Sequence, residues 1–140
     1  MNATDNARYG ATIVRLSLGA MWISHAMLKV FVFTVAGFGQ FLAAHALPAW
    51  AAWPVVLAEI AGGTLILLGV GGRRVSLVLL PILVVAFSTH WPNGWVFTGP
   101  NGGWEYPLFL IAMSVAHALL GDGAFALGEA RLGDRKAVVA

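Results

Sequence analysis

The chain has 140 residues, of which 59% are hydrophobic and 10% charged, with a formal charge of +2 and a mean hydropathy of +0.82. A soluble domain carries about 25% charged residues, so this composition indicates an integral membrane protein with a single domain. There is no cysteine, which excludes disulfides, thiolate metal sites and cysteine nucleophiles. No basic face of the kind that binds nucleic acid is evident, so a nucleic-acid partner is not expected.

Four apolar segments predict an all-α membrane protein, a bundle of four transmembrane helices. About 20 apolar residues are needed to cross the hydrocarbon core. The predicted spans are residues 11–36, 53–70, 75–91 and 105–120, with an outer loop and short interfacial helix at 37–52 and a polar tail at 122–140. The first apolar run is too long for a signal peptide and is interrupted by Lys29, so we expect it to be a retained helix.

Basic residues are distributed unevenly between the predicted spans. The loops 37–52 and 92–104 contain no Lys or Arg, whereas the opposite side holds Arg8, Arg73, Arg74, Arg131, Arg135 and Lys136. The positive-inside rule then places both termini in the cytoplasm. The outer loops are aromatic, which is typical of an interfacial belt and also fits a lid over an outer site.

Ionisable residues inside the spans form the second pattern. Glu59 lies within the second span, where a carboxylate costs about 3 kcal/mol on insertion scales, so it needs partners. In the first span one helical stripe carries all the ionisable groups, which must therefore face the bundle interior. The residues of this stripe are Arg15, Leu18, Trp22, His25 and Lys29.

Helical rise brings one ionisable group of each span to a similar depth near the outer surface. These groups are Lys29, Glu59, His90 and Glu105, with His25 one turn deeper. We expect Lys29 and Glu59 to be in direct or one-water contact, because either charge alone is costly in lipid. Two interpretations stay open: a charge network that only fixes helix packing, or a site for a polar head group or a small anion. Buried ion pairs often add little net stability, which makes packing alone a weak reason to keep them.

The histidines were also considered as haem or metal ligands. A haem held by His25 and His90 would need only these two ligands, but no attachment motif or histidine pair at i, i+4 supports it, and no metal site is expected. His117 lies about 18 Å along the fourth helix from Glu105 and is expected to be a packing histidine with satisfied polar partners.

Several short motifs make the chain resemble the DoxX family of small bacterial and archaeal membrane proteins over about residues 11–128. They are Arg15 with Leu18-Gly19, His25 and Lys29; Glu59-Ile60-Ala61-Gly62-Gly63 with Leu68-Gly69; His90; Gly102-Gly103-Trp104-Glu105; and Gly121-Asp122-Gly123. Ala26 departs from the glycine that often follows the first histidine. The resemblance implies a four-helix bundle and a location in the bacterial inner (plasma) membrane. It also implies a link to redox systems, since members are associated with a thiosulfate:quinone oxidoreductase and with complexes for oxidative and thiol stress.

Three functions stay open on this basis. A redox subunit would bind quinone or quinol at the outer cluster. Lys29, Glu59, His90 and Glu105 would then transfer protons or polarise the ligand, and His25, Trp95 and Trp104 would line the pocket. A non-catalytic membrane anchor or assembly subunit needs no ligand. A carrier for a small anion or acid would need to oligomerise, because four helices are few for alternating access. Apart from the lipid bilayer, we expect a protein partner in a redox complex or a second copy of the chain.

Overall fold

The computed structural model describes residues 2–128, which are helical with no β-strand in that range. The elements are α1 (Ala3–Met27), a π-helical turn (Leu28–Val32), α2 (Val35–Ala44), a 3-10 turn (Ala49–Ala51), α3 (Ala52–Leu68), α4 (Gly72–His90), a 3-10 turn (Trp91–Asn93) and α5 (Glu105–Leu120). The all-α class is therefore confirmed. Most of the predicted polar tail, including Arg131, Arg135 and Lys136, lies outside the described residues.

Within residues 2–128, three continuous helical segments are long and apolar enough to cross a membrane. They are Ala3–Val32, Ala49–Leu68 and Gly72–Asn93, and α2 and α5 are shorter apolar helices. The chain is accordingly a multi-pass membrane protein. α5 coincides with the predicted fourth span, but its 16 residues extend only about 24 Å. The fourth crossing therefore stays a prediction.

The first span differs most from its predicted bounds. Its helix begins at Ala3, inside the polar N-terminal segment, because Asn2 and Asp5 form a capping box in which Asn2 Oδ1 accepts the Asp5 N–H at 2.9 Å. The rod ends at Val32, and the chain bends at Thr34, whose φ is +58°. Hydropathy indicates only which residues suit lipid. It therefore predicted neither the polar first turns of α1 nor the bend of the chain at Thr34.

In the part of the chain that the structure describes, four helices, α1, α3, α4 and α5, form a closed ring in which each packs mainly against two neighbours. α1 packs against α3 and α5, and α4 packs against the same two helices. The core at the centre consists of Leu18, Trp22, Ile66, Leu79, Leu83 and Leu110. The predicted stripe of α1 faces this interior, since Arg15, Leu18 and Trp22 are at most 3% exposed. Ala26 is also fully buried there, at the position where the DoxX pattern often has glycine.

α1 and α3 approach most closely at two glycines. A Cβ at Gly19 would lie 2.9 Å from the Gly63 carbonyl oxygen, and a Cβ at Gly63 would lie 2.9 Å from Trp22 Cβ. Small residues permit such backbone contact between membrane helices. This crossing sets the relative height of α1 and α3, and with it the heights of the charged residues farther along both helices.

Side chains from other elements cap helix ends at the end of the bundle that holds Arg15, which we call the Arg15 end. The Asp122 carboxylate accepts the N–H of Gly72 at 3.1 Å, at the start of α4. Arg73 Nε donates to the Ala118 carbonyl at 2.7 Å, near the end of α5. Each charge has the sign that the helix dipole favours at that terminus. The Arg-Arg turn and the Gly-Asp-Gly motif thus stabilise each other's helices.

The segment after α5 folds back over the Arg15 end. Ala124 exchanges two hydrogen bonds with the Thr12 hydroxyl on α1, and the Gly128 N–H donates to the Gly69 carbonyl at the end of α3. Gly123 has φ of +71°, and a Cβ there would collide with the Thr12 backbone. Glycine is therefore required for residues 121–128 to close this end.

Candidate functional site

Lys29 and Glu59 form a buried ion pair at the opposite end of the bundle, which we call the Lys29 end. Lys29 Nζ lies 2.9 Å from both carboxylate oxygens of Glu59. The side chains are 14% and 2% exposed, respectively. The predicted contact is therefore confirmed, and the carboxylate is almost wholly removed from solvent.

The pair forms because both side chains lean toward the N-terminus of their own helix. Lys29 lies ten residues beyond the Gly19 crossing, about 15 Å along α1, whereas Glu59 lies four residues from Gly63, about 6 Å along α3. Since α1 and α3 run antiparallel, the lysine side chain points back toward the glycine crossing and the glutamate side chain points away from it. Together the two side chains bridge the difference in height between their Cα atoms.

Lys29 stands in the π-helical turn, which follows α1 directly. The Phe33 N–H bonds to the Leu28 carbonyl at 2.9 Å, five residues back, instead of the four of an α-helix. From α2, the Phe38 ring covers the ammonium group, with Nζ 5.2 Å from the ring centroid. This distance allows a cation–π contact. Thr34 fixes α2 in place by accepting the Gly37 N–H on its hydroxyl at 3.1 Å.

His25 links the ion pair to α5. Its Nδ1 contacts the Met21 carbonyl at 3.0 Å, so Nδ1 carries the proton and Nε2 is an acceptor in the neutral ring. The ring stacks on Tyr106, with centroids 5.7 Å apart and planes at 21°. His25 is one helical turn from Lys29 and within electrostatic range of it. We call Tyr106, His25 and Lys29 a row, in which the ring contact between Tyr106 and His25 is direct.

A groove opens beside this row on the surface of α5. It has a volume of about 510 Å³ and is lined by Trp95, Phe97, Glu105, Tyr106, Leu108, Phe109 and Ala112. Phe97 and Phe109 are 57% and 59% exposed, so the groove faces outward from the bundle. Its walls are aromatic and apolar, with one carboxyl group at Glu105. Such a groove fits a flat ring that carries a few polar atoms.

Glu105 and His90 hold the outer loop in place. Glu105 Oε1 accepts the Phe97 N–H at 3.0 Å, and His90 Nδ1 contacts the Asn101 carbonyl at 3.1 Å. Within residues 2–128, no hydrogen bond or ion pair joins either residue to Lys29 or Glu59. Of the four ionisable groups that were predicted to lie at one depth, Lys29 and Glu59 are bonded to each other, and His90 and Glu105 bond to the loop instead.

The predicted tryptophans lie in one aromatic cluster under the same loop. Trp104 packs against Trp91, Trp95 and Phe87, with ring centroids 5.0, 4.6 and 5.7 Å away. Trp95 also lines the groove, whereas Trp104 is not among the lining residues. The cluster gives the loop a rigid base, since loops are otherwise the most mobile part of a fold.

A second polar cluster, the His117 cluster, lies at the Arg15 end and consists of Arg15, Ser76, His117 and Asp122. Ser76 Oγ and His117 Nδ1 are 2.8 Å apart, and both residues are fully buried. His117 Nε2 lies 3.1 Å from Asp122 Oδ1, without the alignment of a hydrogen bond. Arg15 Nη2 donates to the Ala124 carbonyl at 3.1 Å. His117 is thus buried against polar groups, as expected, but its contact with Asp122 was not predicted.

Some contributors to these sites were given no site role from the sequence: Ser76, Phe38, Tyr106 and Asp122. From the sequence, Phe38 and Tyr106 were interpreted as aromatic residues at the membrane interface, and Asp122 as part of a turn that ends a helix. For Tyr106 a signal was present, because it follows Glu105 in the first turn of α5. In the described part of the chain, no group of three or more His, Asp or Glu residues could hold a metal ion.

Comparison with known proteins adds the family. The family model described as DoxX matches residues 10–91, more than half of the chain. The matched part includes Lys29, Glu59 and His90 and ends before Glu105 and Tyr106. No curated protein matches the chain, and no solved structure matches it.

Proposed function

The chain belongs to the DoxX family, and on that premise we propose that it is the membrane subunit of a redox system that binds a quinone or quinol. The head group lies in the groove of α5, beside Tyr106 and Glu105. The observation that carries this proposal is the row of Tyr106, His25 and Lys29, which extends from an outward-facing aromatic groove toward a buried ion pair.

The groove suits a ligand that arrives from the lipid. A quinone diffuses within the membrane and presents a flat ring with two carbonyl oxygens. Aromatic side chains stack on such a ring, and each aromatic pair contributes about 0.5–1.5 kcal/mol beyond its buried area. The exposed Phe97 and Phe109 leave the groove open on the side from which a membrane-dissolved ligand enters.

The polar residues supply proton exchange. A quinone that accepts two electrons also takes up two protons, and oxidation of a quinol releases them. Glu105 lies in the groove itself, and Tyr106 leads through His25 to the Lys29–Glu59 pair, which can stabilise charge on a ligand oxygen. Trp95 and Trp104 shape the wall, and His90 holds the loop above it. The electrons pass to or from a partner protein, so this chain supplies the docking site and the protons.

The proposal includes four membrane crossings in one domain, with both termini in the cytoplasm. Reporter fusions are expected to show a cytoplasmic N-terminus and C-terminus and an external loop at 92–104. The reason is that the loops 37–52 and 92–104 contain no Lys or Arg, whereas the side of the two termini is basic. A fusion to an accessible external C-terminus would contradict the assignment. It would mean that α5 does not cross the membrane, and the groove on α5 would then not lie where a ligand dissolved in the membrane enters it.

Quinone binding can be measured directly. Titrating a short-chain benzoquinone into the protein in lipid nanodiscs should quench tryptophan fluorescence saturably, because Trp95 lines the groove. Tyr106→Ala should weaken binding about three- to tenfold, the equivalent of one aromatic contact. Val78→Ala is the control, since Val78 is 74% exposed on α4 and does not line the groove. Linear quenching that is identical in all three proteins would reject the site and favour an anchor or assembly subunit.

A further inference from the structure

The short helix α2 covers the buried ion pair and is attached to the rest of the bundle by few contacts. Its Phe38 ring lies over the ammonium group, with the centroid 5.2 Å from Lys29 Nζ. Of the ten residues of α2, only Gly39 and Leu42 are buried. In the described part of the chain, the hydrogen bonds of α2 all stay inside residues 34–47. Segments with few buried contacts are the ones that open locally at low cost.

Both ends of α2 are joined to the chain through strained residues that are not glycine. Thr34 has φ of +58° and ψ of +151°, a region that glycine occupies almost alone. Ala46 also has φ of +58°, at the position after a helix where glycine is usual. The Leu47 N–H donates to the Leu42 carbonyl at 2.9 Å and so closes the turn around Ala46. Release of that one bond lets Ala46 return to a negative φ, so the strain favours opening.

Local bonds hold α2 together, so it moves as one piece. The Thr34 hydroxyl accepts the Gly37 N–H at 3.1 Å, and this cap lies within the first turn of α2 itself. At the other end His45 Nδ1 contacts the Phe41 carbonyl at 2.9 Å, and the two rings lie 4.3 Å apart. A rigid element between two terminal residues that can absorb a change of φ is the arrangement of a hinged lid.

We propose that α2 is a lid that opens about Thr34 and Ala46 and admits water and small solutes to the Lys29–Glu59 pair. In the closed position Phe38 covers the ammonium group, and the carboxylate is 2% exposed. In the open position the two strained residues relax and the cation–π contact is lost, so the strain and the contact oppose each other. The lid does not depend on quinone binding, because no residue of α2 lines the groove of α5.

Cysteine accessibility tests the lid, since the chain has no native cysteine. Ala52 is 2% exposed and lies against Gly39 of α2, so Ala52→Cys reports opening. A water-soluble maleimide is added to the protein in lipid nanodiscs, with the exposed Ala44→Cys and the fully buried Ala26→Cys as references. We expect Ala52→Cys to be labelled more slowly than Ala44→Cys but about tenfold or more faster than Ala26→Cys. Equal rates for Ala52→Cys and Ala26→Cys would show that α2 does not open locally and would overturn the proposal.

Ala46→Gly tests the hinge. Glycine adopts a positive φ without strain, so the closed lid becomes more stable and labelling of Ala52→Cys should slow about fivefold or more. Ala43→Gly makes the same chemical change inside α2 and should not slow the labelling. An unchanged rate in Ala46→Gly would overturn the hinge. If Ala52→Cys does not fold, methylation of the Lys29 amine, followed by mass spectrometry, serves instead: slower methylation in Ala46→Gly than in the wild type supports the lid, and equal rates contradict it.

Discussion

Lys29→Met is expected to lower the free energy of unfolding by about 3–5 kcal/mol, because it leaves a buried carboxylate without its partner. Glu59 is 2% exposed, and both of its oxygens bond only to Lys29 among the described residues. The methionine keeps the length of the lysine stem, so packing beside Phe38 changes little. Unfolding in mixed micelles, followed by circular dichroism, measures the loss.

The double variant Lys29→Met with Glu59→Leu distinguishes stability from function. Replacing both members of a buried pair with apolar residues is often neutral or stabilising by about 1–4 kcal/mol. The double variant should therefore recover the unfolding energy of the wild type while benzoquinone binding and redox activity stay impaired. If it recovers activity as well, the pair serves packing alone. If Lys29→Met alone is as stable as the wild type, the carboxylate has another partner and the proposed role of the pair fails.

Gly63→Ala is expected to have the second large effect, a loss of about 1–3 kcal/mol from overpacking. The new Cβ would stand 2.9 Å from both Trp22 Cβ and Ile23 Cγ1 and 3.1 Å from the Gly19 carbonyl. Neither backbone can yield without moving a whole helix, so α1 and α3 separate. The height match between Lys29 and Glu59 depends on this crossing, and quinone binding should weaken too.

Gly10→Ala is the matched control, because it makes the same chemical change on α1. A Cβ at Gly10 has nothing within 4 Å, and alanine favours a helix over glycine by about 1 kcal/mol. This variant should be as stable as the wild type or more so. Equal destabilisation by both variants would show that the crossing of α1 and α3 is not as close as described. Since the chain lacks cysteine, pairs of introduced cysteines on α1 and α3 can report the separation directly.

The predictable part of this fold is what one helix and its surroundings determine locally. Apolar length located the long helices, and the spacing of Arg15, Trp22 and Lys29 identified the buried face of α1. The cost of an unpaired charge in lipid identified Glu59 as a partner for Lys29. The first two inferences need only one helix and its solvent, whereas the pairing of Lys29 with Glu59 also needs the order in which the spans cross the membrane.

The other contacts depend on the direction in which each side chain points around its helix axis. The depth of a residue in the membrane does not determine that direction. His90 and Glu105 were placed at the level of Lys29, yet their side chains bond to the loop residues Asn101 and Phe97. Asp122 caps a helix that begins fifty residues earlier in the chain. Such contacts follow from how the ring of helices closes, and no local pattern in the sequence encodes that closure.

The π-helical turn at Leu28–Val32 has a consequence for chain length. Each π turn contains one residue more than the corresponding α turn, so it is equivalent to a one-residue insertion in a straight helix. Deleting one residue between Lys29 and Phe33 would restore an α turn, and the elements after it would keep their direction because the π turn and the α turn each complete about one revolution. Thr34 and α2 would then stay in place, and Phe38 would still cover the Lys29 ammonium. The number of residues between Lys29 and Phe38 can therefore differ by one without loss of this contact, and alignments across this point should allow for a one-residue gap.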